Sequence, residues 1–278
     1  MRFEPRTPDA GVNVSKTHPL AEAGTLVLGL AGLMAIATVA IVFSIELLIR
    51  FVPVDKEVEW LSGWAPLETT ESDHPQAAAA RELLHRLTTH WPETTYEFRL
   101  DISEDPSPNA MALPGGLIIV TSGLLDAMEA ENALAFVLGH ELGHFKNRDH
   151  IRQLGRIAAL GLFLSAMNTS GGSGAVGYNV SDLTLRGFSR DQEHEADRFG
   201  LELVYREYGH LGDALQFFAE LDEQSDDGIQ WDSYLGTHPS PGDRIGELSQ
   251  LAETSGWPLA GASLPWPPNE LEPDLAER

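Results

Sequence analysis

The chain has 278 residues, no cysteine and 42% hydrophobic content, enough apolar material for one medium-sized core but with no disulfide and no thiolate metal ligand. Its 42 Asp plus Glu against 18 Lys plus Arg give a formal charge of -24, which excludes nucleic acid as a partner because phosphate recognition needs clustered bases. The only lysines are Lys16, Lys56 and Lys146; this acidic, lysine-poor composition fits either a saline habitat, where net charge keeps protein soluble, or a GC-rich genome that favours arginine codons.

Residues 1–24 are polar, without periodicity, and read as an N-terminal tail. From Thr25 to Ile49 a continuous apolar run carries one charge, Glu46, near its end. At 1.5 Å per residue it spans the roughly 30 Å of a bilayer's hydrocarbon, so residues 25–50 are expected to form one transmembrane helix, with the lipid bilayer as a partner through residues 25–49. The run is too long and too uniform for an ordinary core helix, and it lacks a small-x-small cleavage site before the charged Asp55 to Glu59 stretch. Arg2, Arg6 and Lys16 precede it while Arg50 and Lys56 follow, a slight bias toward a cytoplasmic N-terminus. The remainder is then expected on the periplasmic or extracellular side of the cell (inner) membrane.

Residues 51–72, with Pro53, Gly63, Pro66, Trp60 and Trp64, read as a juxtamembrane linker whose tryptophans sit in the headgroup zone or pack on the domain that follows. That domain is expected over residues 73–255. It opens with a helix through "HPQAAAARELLHRLTTHW", with Asp73 as a candidate cap. "TYEFRLDI" alternates like a strand, "DPSPNAMALPGG" turns and "LIIVTS" is a second strand, which together predict a small antiparallel sheet. Ser122 to His150 is helical in pattern. Ile157 to Met167 is apolar but too short to span a membrane, and "NTSGGSGAVG" is a loop. Further helices are expected at Ser189 to Tyr208, at Leu211 to Leu221 and from "HPSPGDRIGELSQLAE", before a Pro-rich C-terminal tail, 256–278.

The chemistry concentrates in "GHELGHFKNRDH", residues 139–150. Residues four apart on a helix lie about 40° apart around its axis, so His140 and His144 project side by side and their ring nitrogens converge on one ion. Glu141, about 100° round, can reach the attacking water without being a ligand, which is why H-E-x-x-H suits a metallopeptidase. Two candidates complete the ligand set. His150 extends the motif toward a metzincin pattern, with Asn147 where that class turns the chain at glycine and "SAMN" as an imaginable Met-turn. Alternatively Glu193, in "SRDQEHEADRFG", supplies a carboxylate from a second helix, with Asp197 four residues on able to accept a ligand histidine's free N–H. Glu195 projects away from Glu193 and reads as solvated or salt-bridged; His85 and His90 read as surface residues. Gly139 and Gly143, each costing about 1 kcal/mol in a helix, point to close approach of another backbone.

Taken with "NAMALPGGLIIVTSGLL" and "THPSPGDRI", these motifs resemble the zinc metallopeptidase family of the CAAX prenyl protease and the bacterial HtpX-type heat-shock peptidase, and in particular its single-domain bacterial members. The resemblance covers about residues 73–252. It implies an α+β, mainly helical, gluzincin-like zinc peptidase domain and one Zn2+ per chain held by His140, His144 and Glu193. Glu141 would be the catalytic base, Asp197 and Arg244 supporting residues, and His238 a group near the transition state or an occluding extra ligand. The strand around Asn109, Ala110, Met111 and Ala112 would pair with substrate backbone. Where polytopic members surround the site with several spanning helices, this sequence offers one, which favours misfolded or membrane-associated polypeptide substrates over prenylated ones. The expected function is a membrane-anchored zinc metalloendopeptidase of envelope quality control, set against a latent or non-catalytic zinc scaffold.

Overall fold

The computed structural model describes residues 18–61, 74–155, 187–215, 234, 237–238 and 242–268. Trp64, the Asp73 cap, the Ile157 to Met167 run, the "NTSGGSGAVG" loop, the "SAMN" turn and residues 216–221 of the Leu211 to Leu221 helix lie outside them.

The apolar N-terminal run forms α1, Pro19–Phe51, which starts six residues before the expected Thr25. Most of its large apolar side chains face outward, among them Leu26, Ile36 and Phe43 at about 70% exposure, and no described residue buries these three. One segment of it, Pro19–Ile41, is long and apolar enough to cross a membrane. The stretch expected as linker instead contains α2, Val54–Leu61. Its Glu57 is buried, so α2 is docked on the domain; the Pro- and Trp-rich composition concealed a helix held by contacts distant in sequence.

The domain begins with α3, Ala77–Thr89, which buries Ala80, Leu83, Leu84 and Leu87 on one stripe. Three strands follow: β1 Arg99–Ser103, β2 Ala110–Leu113 and β3 Leu117–Thr121. The sheet order is β1-β3-β2, with β2 antiparallel to β3 but β1 parallel to it, so the sheet is mixed where an antiparallel one was expected. The hairpin strand β2 takes one flank of β3 and leaves the other for β1. All five β3 residues are buried, as suits a central strand covered on both faces. Ile118 and Val120 enter the main core, while Leu117 and Ile119 join Leu113 on the opposite face. The β2–β3 turn needs φ of +84° and +82° at Gly115 and Gly116, which glycine reaches without the Cβ penalty.

The expected Ser122 to His150 helix is two helices, α4 Ser122–Ala127 and α5 Glu131–Asn147, separated by extended backbone at Met128 and Ala130. No Gly or Pro marks the break. The C-terminal segment makes it by taking the local backbone groups: Trp266 N–H donates to Glu129 O at 2.9 Å and Glu131 N–H to Leu264 O at 2.8 Å. Residues 149–155 are again helical. The second motif lies on α6, Arg190–Tyr208, opened by a capping box in which Ser189 and Gln192 bond reciprocally and closed by Gly209 in the left-handed region. The last helix is α7, Gly242–Ser255. Beyond it, as far as residue 268, the chain is irregular, yet Trp266 is buried and its indole N–H donates to Gln76 Oε1 at 2.8 Å.

Candidate metal centre

The helix α5 is buried from Glu131 to Phe145, so its polar residues His140, Glu141 and His144 stand in the interior and must find partners there. It packs against α6 at two points without room for side chains. A Cβ on Gly139 would lie 2.9 Å from Gly200 Cα, and one on Gly143 would lie 2.6 Å from Ala196 Cα. This contact sets Glu193 and Asp197 of α6 directly against the two histidines.

His140 Nδ1 lies 2.8 Å from Asp197 Oδ1 and His144 Nδ1 lies 3.0 Å from Asp149 Oδ2. Ionised carboxylates only accept, so both rings are inferred to carry hydrogen on Nδ1 and a bare lone pair on Nε2. Those two Nε2 atoms face each other at 3.0 Å, and Glu193 oxygens lie 3.6 Å from the first and 3.7 Å from the second. Tetrahedral zinc with bonds of about 2.0–2.1 Å sets its ligands roughly 3.3 Å apart, so the donor set fits. Lone pairs that face each other between buried side chains also call for a cation between them.

His238 enters the same cluster. Its Nδ1 is 3.1 Å from His140 Nε2 and 3.1 Å from Glu193 Oε1, and the four groups His140, His144, Glu193 and His238 lie within 4.8 Å of one another. His238 Nε2 points the other way, 3.6 Å from Glu141 Oε1. Tyr234 stacks under the His238 ring at 4.6 Å and Phe188 stacks on His144 at 3.8 Å, fixing both planes. Arg244 of α7 bonds both Asp197 oxygens, at 2.7 and 2.6 Å, and its Nη1 lies 2.9 Å from Glu193 Oε2.

Burial is the largest influence on His140, Glu193 and Glu141. It pushes His140 well below the ordinary imidazole value, and the repulsion that two protonated rings this close would suffer adds to it, which keeps the His140 ring neutral and its lone pair free. Glu193 is also pushed up by burial, but the surrounding histidines, His238 foremost, outweigh this and bring it down to about 2, so it is an anion. Glu141 moves the other way: burial raises it, while His238, His144 and the Ala112 backbone only partly oppose this. Neither Glu141 oxygen makes a hydrogen bond of full geometry among the described residues, the Ala112 backbone interacting with it only weakly, although the side chain is fully buried. A carboxyl with raised proton affinity and no strong hydrogen bond to hold it is suited to proton transfer.

Glu141 and His238 border a groove whose other wall is β2, lined by Ala110 through Pro114, with Leu154 and Phe188 across from it. Among the described residues no strand pairs with the edge of β2 away from β3. Thr121 N–H donates to Asn109 O across the sheet at 3.0 Å, so antiparallel alternation turns the backbone groups of Met111 inward and those of Ala110 and Ala112 outward. Asn109 Oδ1 already accepts from Ala110 N–H at 2.9 Å, which leaves Ala112 N–H and the Ala110 and Ala112 carbonyls facing the groove. Asn109 itself is buried and serves to pin the strand.

His150, the alternative third ligand, is not in the cluster: its Nε2 bonds Glu57 at 2.6 Å. Glu195 is exposed, as expected. His85 is exposed and His90 bonds Glu207 at 2.8 Å. Asp149 was missed by sequence reasoning; a carboxylate five residues past His144, just beyond the helix end, was the available signal. Nothing local marked Phe188, Tyr234 or Glu57.

A buried helix that offers His140, Glu141 and His144 to a carboxylate on a facing helix has the donor arrangement that suits a metallopeptidase site. The sequence model of Peptidase family M48 matches residues 77–252, and the chain belongs to that family. It is 28% identical over 181 residues to the mitochondrial metalloendopeptidase OMA1 of Schizosaccharomyces pombe, covering 64% of this chain and 54% of that protein. It is 31% identical over 176 residues to the mitochondrial metalloendopeptidase OMA1 of Arabidopsis thaliana, covering 60% and 33%. To the beta-barrel assembly-enhancing protease of Escherichia coli it is 29% identical over 211 residues, covering 71% and 42%. The matched region is about half of these relatives' length or less.

Proposed function

We propose that the protein is a membrane-anchored, zinc-dependent metalloendopeptidase that removes misfolded or membrane-associated polypeptides in the cell envelope. The observation that carries this reading is the meeting of three donors, His140 Nε2, His144 Nε2 and Glu193, beside a buried Glu141 with no strong hydrogen bond to hold it. His140, His144 and Glu193 would hold one zinc; Asp197 and Asp149 orient the two rings, and Arg244 holds Asp197 and Glu193. When bound, zinc supplies a Lewis acid that acidifies water and polarises a carbonyl oxygen.

The chain's own residues do the rest. Substrate backbone pairs with the open edge of β2, its carbonyl meeting Ala112 N–H and its N–H groups meeting the Ala110 and Ala112 carbonyls. Glu141 takes a proton from the attacking water and returns it to the amine that leaves. His238 Nε2, on the groove side, donates to the developing oxyanion. α1 inserts in the bilayer, with the N-terminus cytoplasmic and the peptidase domain periplasmic or extracellular; a C-terminal reporter active only in the cytoplasm would reverse this orientation.

Metal content measured beside casein cleavage tests the reading in wild type, Glu193→Ala and Glu141→Gln. One zinc per chain with cleavage in wild type, metal loss in the first variant and metallated but inactive protein in the second are the expected results. Zinc without cleavage in any of them points instead to latency through His238 or to a non-catalytic scaffold. A second reading, latency, is favoured by the position of His238 Nδ1 among the donors, where it could close the metal shell. His238→Ala then raises activity, whereas a transition-state role lowers it.

A further inference from the structure

The base of the membrane anchor is bonded into the end of the metal-bearing helix. Glu57 of α2 is 2% exposed, and each of its oxygens is doubly engaged. Oε1 accepts from Tyr96 Oη at 2.7 Å and faces His150 Nε2 at 2.6 Å. Oε2 accepts from Arg148 Nε and Nη2, both at 2.7 Å. Arg148 Nη1 donates onward to Ile49 O at 2.7 Å and Val52 O at 2.6 Å, the unsatisfied carbonyls where α1 ends. All three guanidinium nitrogens are thus spent on the anchor.

Arg148 is also the residue that turns the chain. It caps α5 with φ 58° and ψ 34°, left-handed backbone that a non-glycine residue with a long side chain seldom adopts. Such a conformation persists only where the surroundings impose it. Its product is the placement of the next residue, Asp149, fully buried with Oδ2 on His144 Nδ1. His150, the residue after that, lines the substrate groove.

We propose that Glu57 is a positioning residue of the peptidase site: it locks Arg148 in the left-handed turn and thereby holds Asp149 on His144 and His150 in the groove wall. This rests on the reading of His140, His144 and Glu193 as zinc ligands. The juxtamembrane helix is on this account part of the catalytic apparatus, and zinc binding depends on a residue that precedes the peptidase domain.

The test is zinc affinity, by competition with a chromophoric chelator, of the full chain in detergent micelles, with KM and kcat measured in parallel. Wild-type zinc binding checks the ligand reading independently of the variants. Glu57→Gln, isosteric but able to present only one acceptor oxygen, is expected to weaken zinc about tenfold and raise KM, the loss typical of orienting partners. Glu59→Gln, on the same helix but exposed, leaves both unchanged. Arg148→Ala is expected to lose about as much as Glu57→Gln. Arg148→Gly, which adopts the turn without a lock, is expected to stay within about threefold of wild type. In the Arg148→Gly background Glu57→Gln then has no further effect on zinc. Unchanged zinc affinity in folded Glu57→Gln overturns the proposal, and so does equal loss in Arg148→Gly and Arg148→Ala. The Arg148 pair decides the matter even if Glu57→Gln does not fold.

Discussion

Gly143 of α5 and Ala196 of α6 meet backbone to backbone, so that a Cβ on Gly143 would stand 2.6 Å from Ala196 Cα and 2.7 Å from its carbonyl oxygen. The neighbour is main chain and cannot swing aside. Gly143→Ala is therefore expected to destabilise the fold by about 1–3 kcal/mol despite alanine's better helix propensity, as read by chemical denaturation. Because the same contact sets Glu193 against His144, zinc affinity falls with it. A variant as stable as wild type would mean the helices do not approach this closely.

Glu141→Gln keeps the shape of the side chain and removes its proton affinity. Retained zinc with kcat reduced by at least about a hundredfold is expected, since general-base catalysis contributes on that scale. Cleavage at the wild-type rate would assign the base elsewhere.

Asp197 receives both His140 Nδ1 and the Arg244 fork. Asp197→Asn and Arg244→Gln are each expected to lower zinc affinity about 10- to 100-fold, and the double variant to lose less than the sum of the two, because they act through one bonded unit. Equilibrium dialysis of the four proteins gives the cycle.

For Glu57, burial raises the carboxyl, but the hydrogen bond and charge of His150, with Tyr96 and Arg148, outweigh it and hold it below its ordinary 4.5. A depressed folded value stabilises the fold above the unfolded pKa, and this stabilisation disappears as the pH falls through the folded one. The difference in melting temperature between wild type and Glu57→Gln is accordingly full at neutral pH and closes as the pH is lowered below about 4.5. A gap that widens on acidification would contradict the ionised assignment.

What the sequence disclosed was what is written in local spacing. His140 and His144 are one helical turn apart, and both glycines of that turn announce a close neighbour, so the face and its packing could be read directly. Glu193 and Asp197 came from a second motif on a capped helix. The break between α4 and α5 was hidden because its cause, the Leu264 and Trp266 backbone, lies about 135 residues away in sequence. The parallel pairing of β1 with β3 was equally hidden, since two strands read in order suggest a meander and nothing local says that a third strand takes the near edge. Arg148 gives no sign of a left-handed turn, which sequence reading looks for at Gly or Asn, and the linker-like composition around Glu57 gave no sign of its bonds.

The open edge of β2 has one further consequence. A ladder of backbone groups makes no distinction among side chains; it asks whether a segment has its own N–H and C=O groups to spare. Helices and paired strands have already committed theirs, while a frayed or never-folded segment has not. On this account the groove selects by state rather than by composition, and a well-folded neighbour survives simply by having no main chain to lend.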